Sequence, residues 1–112
     1  MKYVPKAVKD KSLTKWRRAL KACTDADTFH TWWGMEGQNR CSFCDYFRDD
    51  CKRCPVFVDN DCALEWVKLL NIFGIRYTPY NHIDMIVVTD TVQAMIARIQ
   101  AVQTYNKKGN IV

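Results

Sequence analysis

Five cysteines fall within 22 residues, in the order Cys41-x2-Cys44-x6-Cys51-x2-Cys54-Pro55-x6-Cys62. A Cys-x2-Cys turn brings two sulfurs to one side of a tight loop, where they span one edge of a tetrahedron. Two such turns, or one turn with Cys62 and a further cysteine, supply the four thiolates of a closed structural zinc site. Zinc suits them because it imposes no d-electron geometry and favours thiolate sulfur. Four thiolates on Zn²⁺ leave a net charge of about −2, and Arg40, Arg48, Lys52 and Arg53 are near enough in sequence to offset it. The same cations lower the thiol pKa values and ease metal loading at neutral pH. Five cysteines compete for four positions. Cys41 and Cys44 stand first, with Cys54 and Cys62 ahead of Cys51.

Other chemistries fit the spacing less well. Six residues between the turns are too few for a zinc ribbon, whose pairs stand about a dozen or more apart. A [4Fe–4S] cluster also takes four cysteines, and Cys54-Pro55 resembles the end of a ferredoxin run; the dense Cys-x2-Cys-x2-Cys run is missing. That cluster stays as the competing cofactor. The opening matches half of a fungal two-zinc cluster whose second half does not follow, and a thioredoxin-type redox pair lacks its βαβ setting. Cys23 stands apart and reads as a small buried hydrophobe. His30, beside Trp32 and Trp33, and His82, in a Tyr-Asn-His turn, read as structural and not as a fourth ligand. Asn81-His82 with Asp84 is a thin basis for a nuclease, and no triad, phosphate loop or paired carboxylates stand in a recognisable setting. The expectation is a protein that is not an enzyme.

Charge is the second feature with a chemical meaning. Residues 1–21 hold eight Lys or Arg against Asp10 alone, a balance of +7, while the other 91 residues hold nine basic against eleven acidic ones. Such an arm on a nearly neutral body suits an acidic partner, either nucleic acid or an acidic protein face. Lys6, Lys9, Lys11, Lys15, Arg17, Arg18 and Lys21 are the candidate contacts, with Trp16 or Tyr3 for stacking. The plainer alternative is a solubilising tail.

These groups need elements to position them. A chain of 112 residues reads as one domain whose core a metal staple would support. Its expected fold class is mainly α with a minor β component (α+β), a small metal-stapled domain ending in an amphipathic helix. A basic arm covers 1–11, extended through residue 10, because Pro5 removes a donor and restricts Val4. Ser12 or Thr14 caps a short helix to Ala22, with Leu13, Trp16 and Leu20 inward and Lys15, Arg18 and Lys21 turned away. Thr24 with Asp27 resembles a capping box for a second helix that carries Phe29, Trp32 and Trp33 and stops at Gly34 to Gly37.

The metal segment spans 41–62, and a helix–strand–helix unit spans 61–107. Its first helix, about 61–73, is capped from Asp59-Asn60-Asp61, buries Leu64, Val67 and Leu70, and ends at Gly74. Residues 75–80 are extended, and Ile83 to Thr89 reads as a buried strand. Thr89 or Asp90 then caps a helix over about 90–106 with Val92, Met95, Ile96, Ile99 and Val102 on one face. No stretch reaches the roughly 20 apolar residues of a membrane helix, and the N-terminus lacks the apolar core of a signal peptide. A reducing cytoplasm follows as the expected setting, with thiols as ligands and not disulfides.

The cysteine pattern, with Cys51-Lys52-Arg53-Cys54-Pro55-Val56, a Trp-bearing helix before it and Thr78-Pro79-Tyr80 after it, resembles a family of small, largely uncharacterised phage and prophage proteins. The match covers residues 15–80 and is most specific in its cysteines. In that family Thr-Pro-Tyr follows the last cysteine almost at once, whereas here fifteen residues intervene. The resemblance implies a viral accessory protein in a host bacterial cytoplasm and brings no activity with it. The expected function is thus a non-enzymatic zinc-binding phage accessory protein. Its partner is a host protein or protein–nucleic acid complex, with inhibition of a host defence complex, as by an anti-CRISPR, as one form. The alternatives are a zinc protein that binds nucleic acid through the basic arm, and an iron–sulfur or zinc-containing enzyme.

Overall fold

The computed structural model describes residues 3–37, 42–48, 54, 64–73 and 83–105. In chain order these form β1 (Tyr3–Pro5), α1 (Lys6–Lys21), α2 (Ala26–Trp32), a π-helical turn (Trp33–Gly37), α3 (Ser42–Phe47), α4 (Leu64–Phe73), α5 (Met85–Gln100) and β2 (Gln103–Tyr105). The described residues are mainly helical, with one two-stranded parallel sheet that pairs Tyr3 with Gln103, Val4 with Thr104 and Pro5 with Tyr105. Val4 and Thr104 are both buried, so this short ladder belongs to the core.

The expected arm is therefore a strand followed by the first turns of α1. Pro5 closes the strand and sits at the helix N-cap with φ −58°, the value its ring imposes and a helix start accepts. Ser12 and Thr14 do not cap. Ser12 is buried mid-helix, and the Thr14 hydroxyl donates to the Asp10 carbonyl at 2.9 Å. The helix begins six residues earlier than Ser12 because Val8 packs on the core and Lys6 pairs with Asp10 one turn on, at 2.7 Å. Leu13 and Trp16 face inward as expected, but so does Lys15, only 7% exposed, with its ammonium 5.8 Å from the Trp16 ring centroid. Its aliphatic stem packs while its charge stays over an aromatic face.

α1 packs along α5, and the pair runs antiparallel. The Lys9 ammonium donates to the carbonyls of Gln100 and Val102, at 2.8 and 2.9 Å, where the C-terminus of α5 leaves carbonyls unpaired. At the other end Cys23, just past α1, meets Thr89 in the second turn of α5. The expected strand over 83–89 is replaced by helix from Met85, and the cap is Asp84, which accepts from the Ile86 N–H at 3.0 Å. A β-branched run is ambiguous by itself, and burial of Val88 beside Val92, Met95 and Ile99 shows helical spacing winning. The helix ends at Gln100, short of 106, because Val102 turns inward and the chain enters β2.

α2 is capped by Asp25, not Thr24; its carboxylate accepts from the Thr28 N–H at 2.8 Å and from the Thr28 hydroxyl at 3.0 Å. Phe29, Trp32 and Trp33 are buried as expected. All four tryptophans join in one chain of rings: Trp16–Trp32 at 5.6 Å, Trp32–Trp33 at 6.4 Å and Trp33–Trp66 at 6.0 Å. Phe29 bridges Trp32 to Phe73 at 5.2 and 4.9 Å. Such tilted contacts combine large apolar burial with favourable edge-to-face electrostatics. Gly37 closes the π-turn against this cluster: a Cβ there would stand 2.5 Å from a Trp32 ring carbon and 2.7 Å from one of Trp33. Its carbonyl accepts the Trp66 indole N–H at 3.1 Å.

In α4 the expected stripe is displaced. Leu69 and Phe73 are buried and Leu70 is exposed, because the helix turns its Trp66–Leu69–Phe73 side to the aromatic cluster. The backbone of 59–63 and 74–80, with the cap and strand expected there, lies outside the described residues, as does the side chain of Leu64.

Candidate functional site: the cysteine segment and the outer face of α1

Of the five candidate ligands, Cys44 and Cys54 are among the described residues, and Cys41, Cys51 and Cys62 are outside them. Cys44 is half-buried on α3, between the buried Phe43 and Phe47, and Cys54 is buried within the core. The Ser42 hydroxyl donates to the Val8 carbonyl at 2.7 Å and ties the start of α3 to α1. Arg48 ends α3 with φ 52°, the left-handed conformation that stops a helix. Among the described residues no three His, Cys, Asp or Glu side chains converge as a metal site. Of the extra candidates, Cys23 is half-buried and donates to the Ala19 carbonyl at 3.3 Å; burial pushes its thiol pKa up, the opposite of an activated nucleophile. His30 stacks on Phe73 at 6.2 Å, Asp84 serves as the cap of α5, and His82 is outside the described residues.

The seven basic candidates divide sharply. Lys9 is occupied with the end of α5, and Lys15 is buried beside Trp16. Arg18 bonds Glu36 of the π-turn through Nε, 3.0 Å from each carboxylate oxygen, and through Nη2; the Trp32 indole N–H adds a bond to the same carboxylate at 3.0 Å. Those hydrogen bonds, led by Arg18, hold Glu36 below the usual glutamate range, and Glu36 in turn raises Arg18. Lys6 pairs with Asp10 in solvent. Lys11, Arg17 and Lys21 are exposed and make no hydrogen bond or ion pair among the described residues.

These exposed residues form two neighbouring rows along α1. Lys6, Asp10, Thr14, Arg17 and Lys21 recur at steps of three and four, and Lys11 and Arg18, seven apart, run beside them. Trp16 is fully buried and takes no part in stacking, while the side chain of Tyr3 is outside the described residues. An aromatic that the sequence did not single out stands here instead. Tyr46 of α3 is 41% exposed and lines a shallow cleft of about 350 Å³ with Ala7, Val8, Lys11, Ser42 and Asp45. Only the packing of α3 on α1 brings Tyr46 to Lys11, so spacing along the chain carried no signal for it.

A second, half-buried ion pair stands at a shallow cleft of its own, about 270 Å³, which Glu65 lines with Lys68, Asp90, Thr91 and Ala94. Arg98 of α5 donates to both oxygens of Glu65 in α4, at 2.9 and 3.0 Å. Burial alone would push Glu65 up; the Arg98 hydrogen bonds, the residue's own backbone N–H and the Arg98 charge together hold it below its ordinary value. Set against known proteins, the chain matches no family model, no curated protein and no solved structure. Among the described residues no helix is long and apolar enough to cross a membrane.

Proposed function

We propose that this chain is a non-enzymatic, zinc-stapled binding module that presents the outer face of α1 to an acidic host macromolecule. One observation carries the reading. The shifted pKa values of Arg18 and Glu36, Arg98 and Glu65, Asp25 and Cys23 each go with a structural role: two ion pairs, a helix cap and a half-buried thiol. Lys11, Arg17 and Lys21, by contrast, are held on a 16-residue helix and face solvent. Perturbed groups gathered in a cleft favour catalysis, whereas an ordered array of like charge favours association. The buried Cys54 and half-buried Cys44 support a structural metal, since closed zinc sites shield their thiolates from solvent. The resemblance to phage proteins makes an infected bacterium the setting and a host defence complex a partner worth trying first.

Two measurements test this. Metal analysis of the purified chain should find about one zinc per chain with no visible absorption band, and Cys44→Ser should lose both metal and helical circular dichroism. An iron–sulfur band, or an apo chain as stable as the purified one, overturns the staple. Cross-linking in host lysate should recover one specific partner with the native chain and not with Lys11→Glu/Arg17→Glu/Lys21→Glu. Recovery of the same species with both chains removes the α1 face from the proposal.

A further inference from the structure

We infer that the outer face of α1 and the cleft beside it bind a single-stranded nucleic acid, with phosphates on Lys11, Arg17 and Lys21 and a base stacked on Tyr46. This rests on the reading of the α1 face as the binding surface and names the chemistry of its partner. The three cations span ten residues of helix, about 15 Å at 1.5 Å per residue, a length that consecutive phosphates of one strand follow. Among the described residues the two rows hold one carboxylate, Asp10, already bonded by Lys6 at 2.7 Å; Glu36 beside them is taken by Arg18, and Asp45 lines the cleft.

Composition separates nucleic acid from an acidic protein as the occupant. A protein interface has an apolar, desolvated centre rich in aromatic anchors. The two exposed rows of α1 contain no large hydrophobic residue; the exposed Met35, Leu70 and Ile86 lie on other elements. Beside Lys11 stands a half-exposed aromatic, Tyr46, in a cleft that the two residues line together. Phe47 holds the Tyr46 ring edge-on, with centroids 4.9 Å apart at 76°, so the platform is braced by a buried neighbour. Cations that track a backbone and an aromatic that takes a base are the two parts of single-strand recognition without sequence readout. A duplex keeps its bases stacked and has no use for Tyr46.

The test is fluorescence anisotropy of the full chain with a labelled 20-nucleotide oligothymidine, its duplex with oligoadenosine, and a polyglutamate peptide of matching length. The single strand should bind best, with a slope of log affinity against log salt of about −2, three phosphate contacts at roughly −0.7 each. Lys11→Gln/Arg17→Gln/Lys21→Gln should bring that slope near zero, and Tyr46→Ala should weaken binding by about tenfold while Tyr46→Phe stays near the native value. These positions are exposed, and unchanged circular dichroism and melting confirm each variant folds. Salt-independent binding, equal affinity for the duplex, or an unaffected Tyr46→Ala overturns the assignment. Equal binding of polyglutamate reassigns the face to an acidic protein, which defeats this inference and leaves the proposed function standing.

Discussion

α1 and α5 are both 16 residues long, lie against each other and end in the same way, on Ala22 and Ala101. They differ in what begins them and in what they turn to solvent. α5 opens on a side-chain cap, Asp84, and carries Asp90 and Arg98 as its only charges. α1 opens on Pro5 with no side-chain cap and carries seven cations and one acid. α5 buries Val88, Val92, Met95 and Ile99 with Thr91, whereas α1 buries Leu13, Trp16 and Ala19 with Ser12 and encloses a charged residue as well, Lys15. The helix with weaker local signals is held by its surroundings: the parallel strand before it, Lys9 on the end of α5, Ser42 on Val8 and Glu36 on Arg18. Tertiary contacts can leave one helix face to carry charge that has no structural duty.

The comparison breaks hardest at the ring cluster. Trp16→Ala should cost about 3–5 kcal/mol and Val92→Ala, on the facing helix, about 2 kcal/mol, because truncation adds a cavity to the lost transfer energy. Urea midpoints measured on both variants check the order, and an equal loss would mean that the aromatic chain is not the centre of the core. Gly37→Ala comes next, at about 1–3 kcal/mol, since the new methyl must push two indoles apart. A shifted tryptophan emission should accompany the loss.

The helix starts give effects of opposite sign. Asp84→Ala should destabilise by about 1 kcal/mol through loss of the cap. Ser12→Ala should stabilise by about 0.5–1 kcal/mol, because the buried Ser12 hydroxyl has no hydrogen-bond partner and alanine favours helix. Were Ser12 a cap, the second variant would lose stability instead, so thermal melts of the two decide the start of α1. The smallest effect concerns pH. Glu36 and Glu65 have folded pKa values below their unfolded ones, so their stabilisation is present above the usual glutamate value of 4.5 and fades as pH falls through the lower folded values. The fade should be flatter in Glu65→Gln, while Arg98→Ala should cost about 1 kcal/mol at neutral pH, the pair being only partly exposed.

Several of these elements were legible from residue types alone. The inward positions of Leu13, Trp16, Phe29, Val92, Met95 and Ile99 followed from helical spacing, because an apolar stripe at 3.6 residues per turn must be covered whatever covers it. Starts and local identities were less legible. Three oxygen-bearing side chains, Ser12, Thr14 and Thr24, have cap chemistry, and none caps; the chain direction set by Pro5 and the reach of Asp25 to Thr28 decide those ends. The run Ile83 to Thr89 satisfies strand and helix alike, and its packing against α1 selects helix. In the cysteine segment the sequence marked the residue types, while Tyr46 escaped notice because its partner Lys11 lies 35 positions away.

By itself the sequence determined that the fold is mainly helical, that Trp16, Phe29, Trp32 and Trp33 belong to the core, and that positive charge gathers near the N-terminus, since composition and period act locally. Only the tertiary structure decided which of these cations remain in solvent without a structural contact among the described residues. Burial of Lys15, capping of α5 by Lys9 and pairing of Arg18 with Glu36 each depend on residues distant in sequence. Charge is a property of a residue, but its availability belongs to the neighbours that desolvate or neutralise it, and those are assigned only when the helices pack.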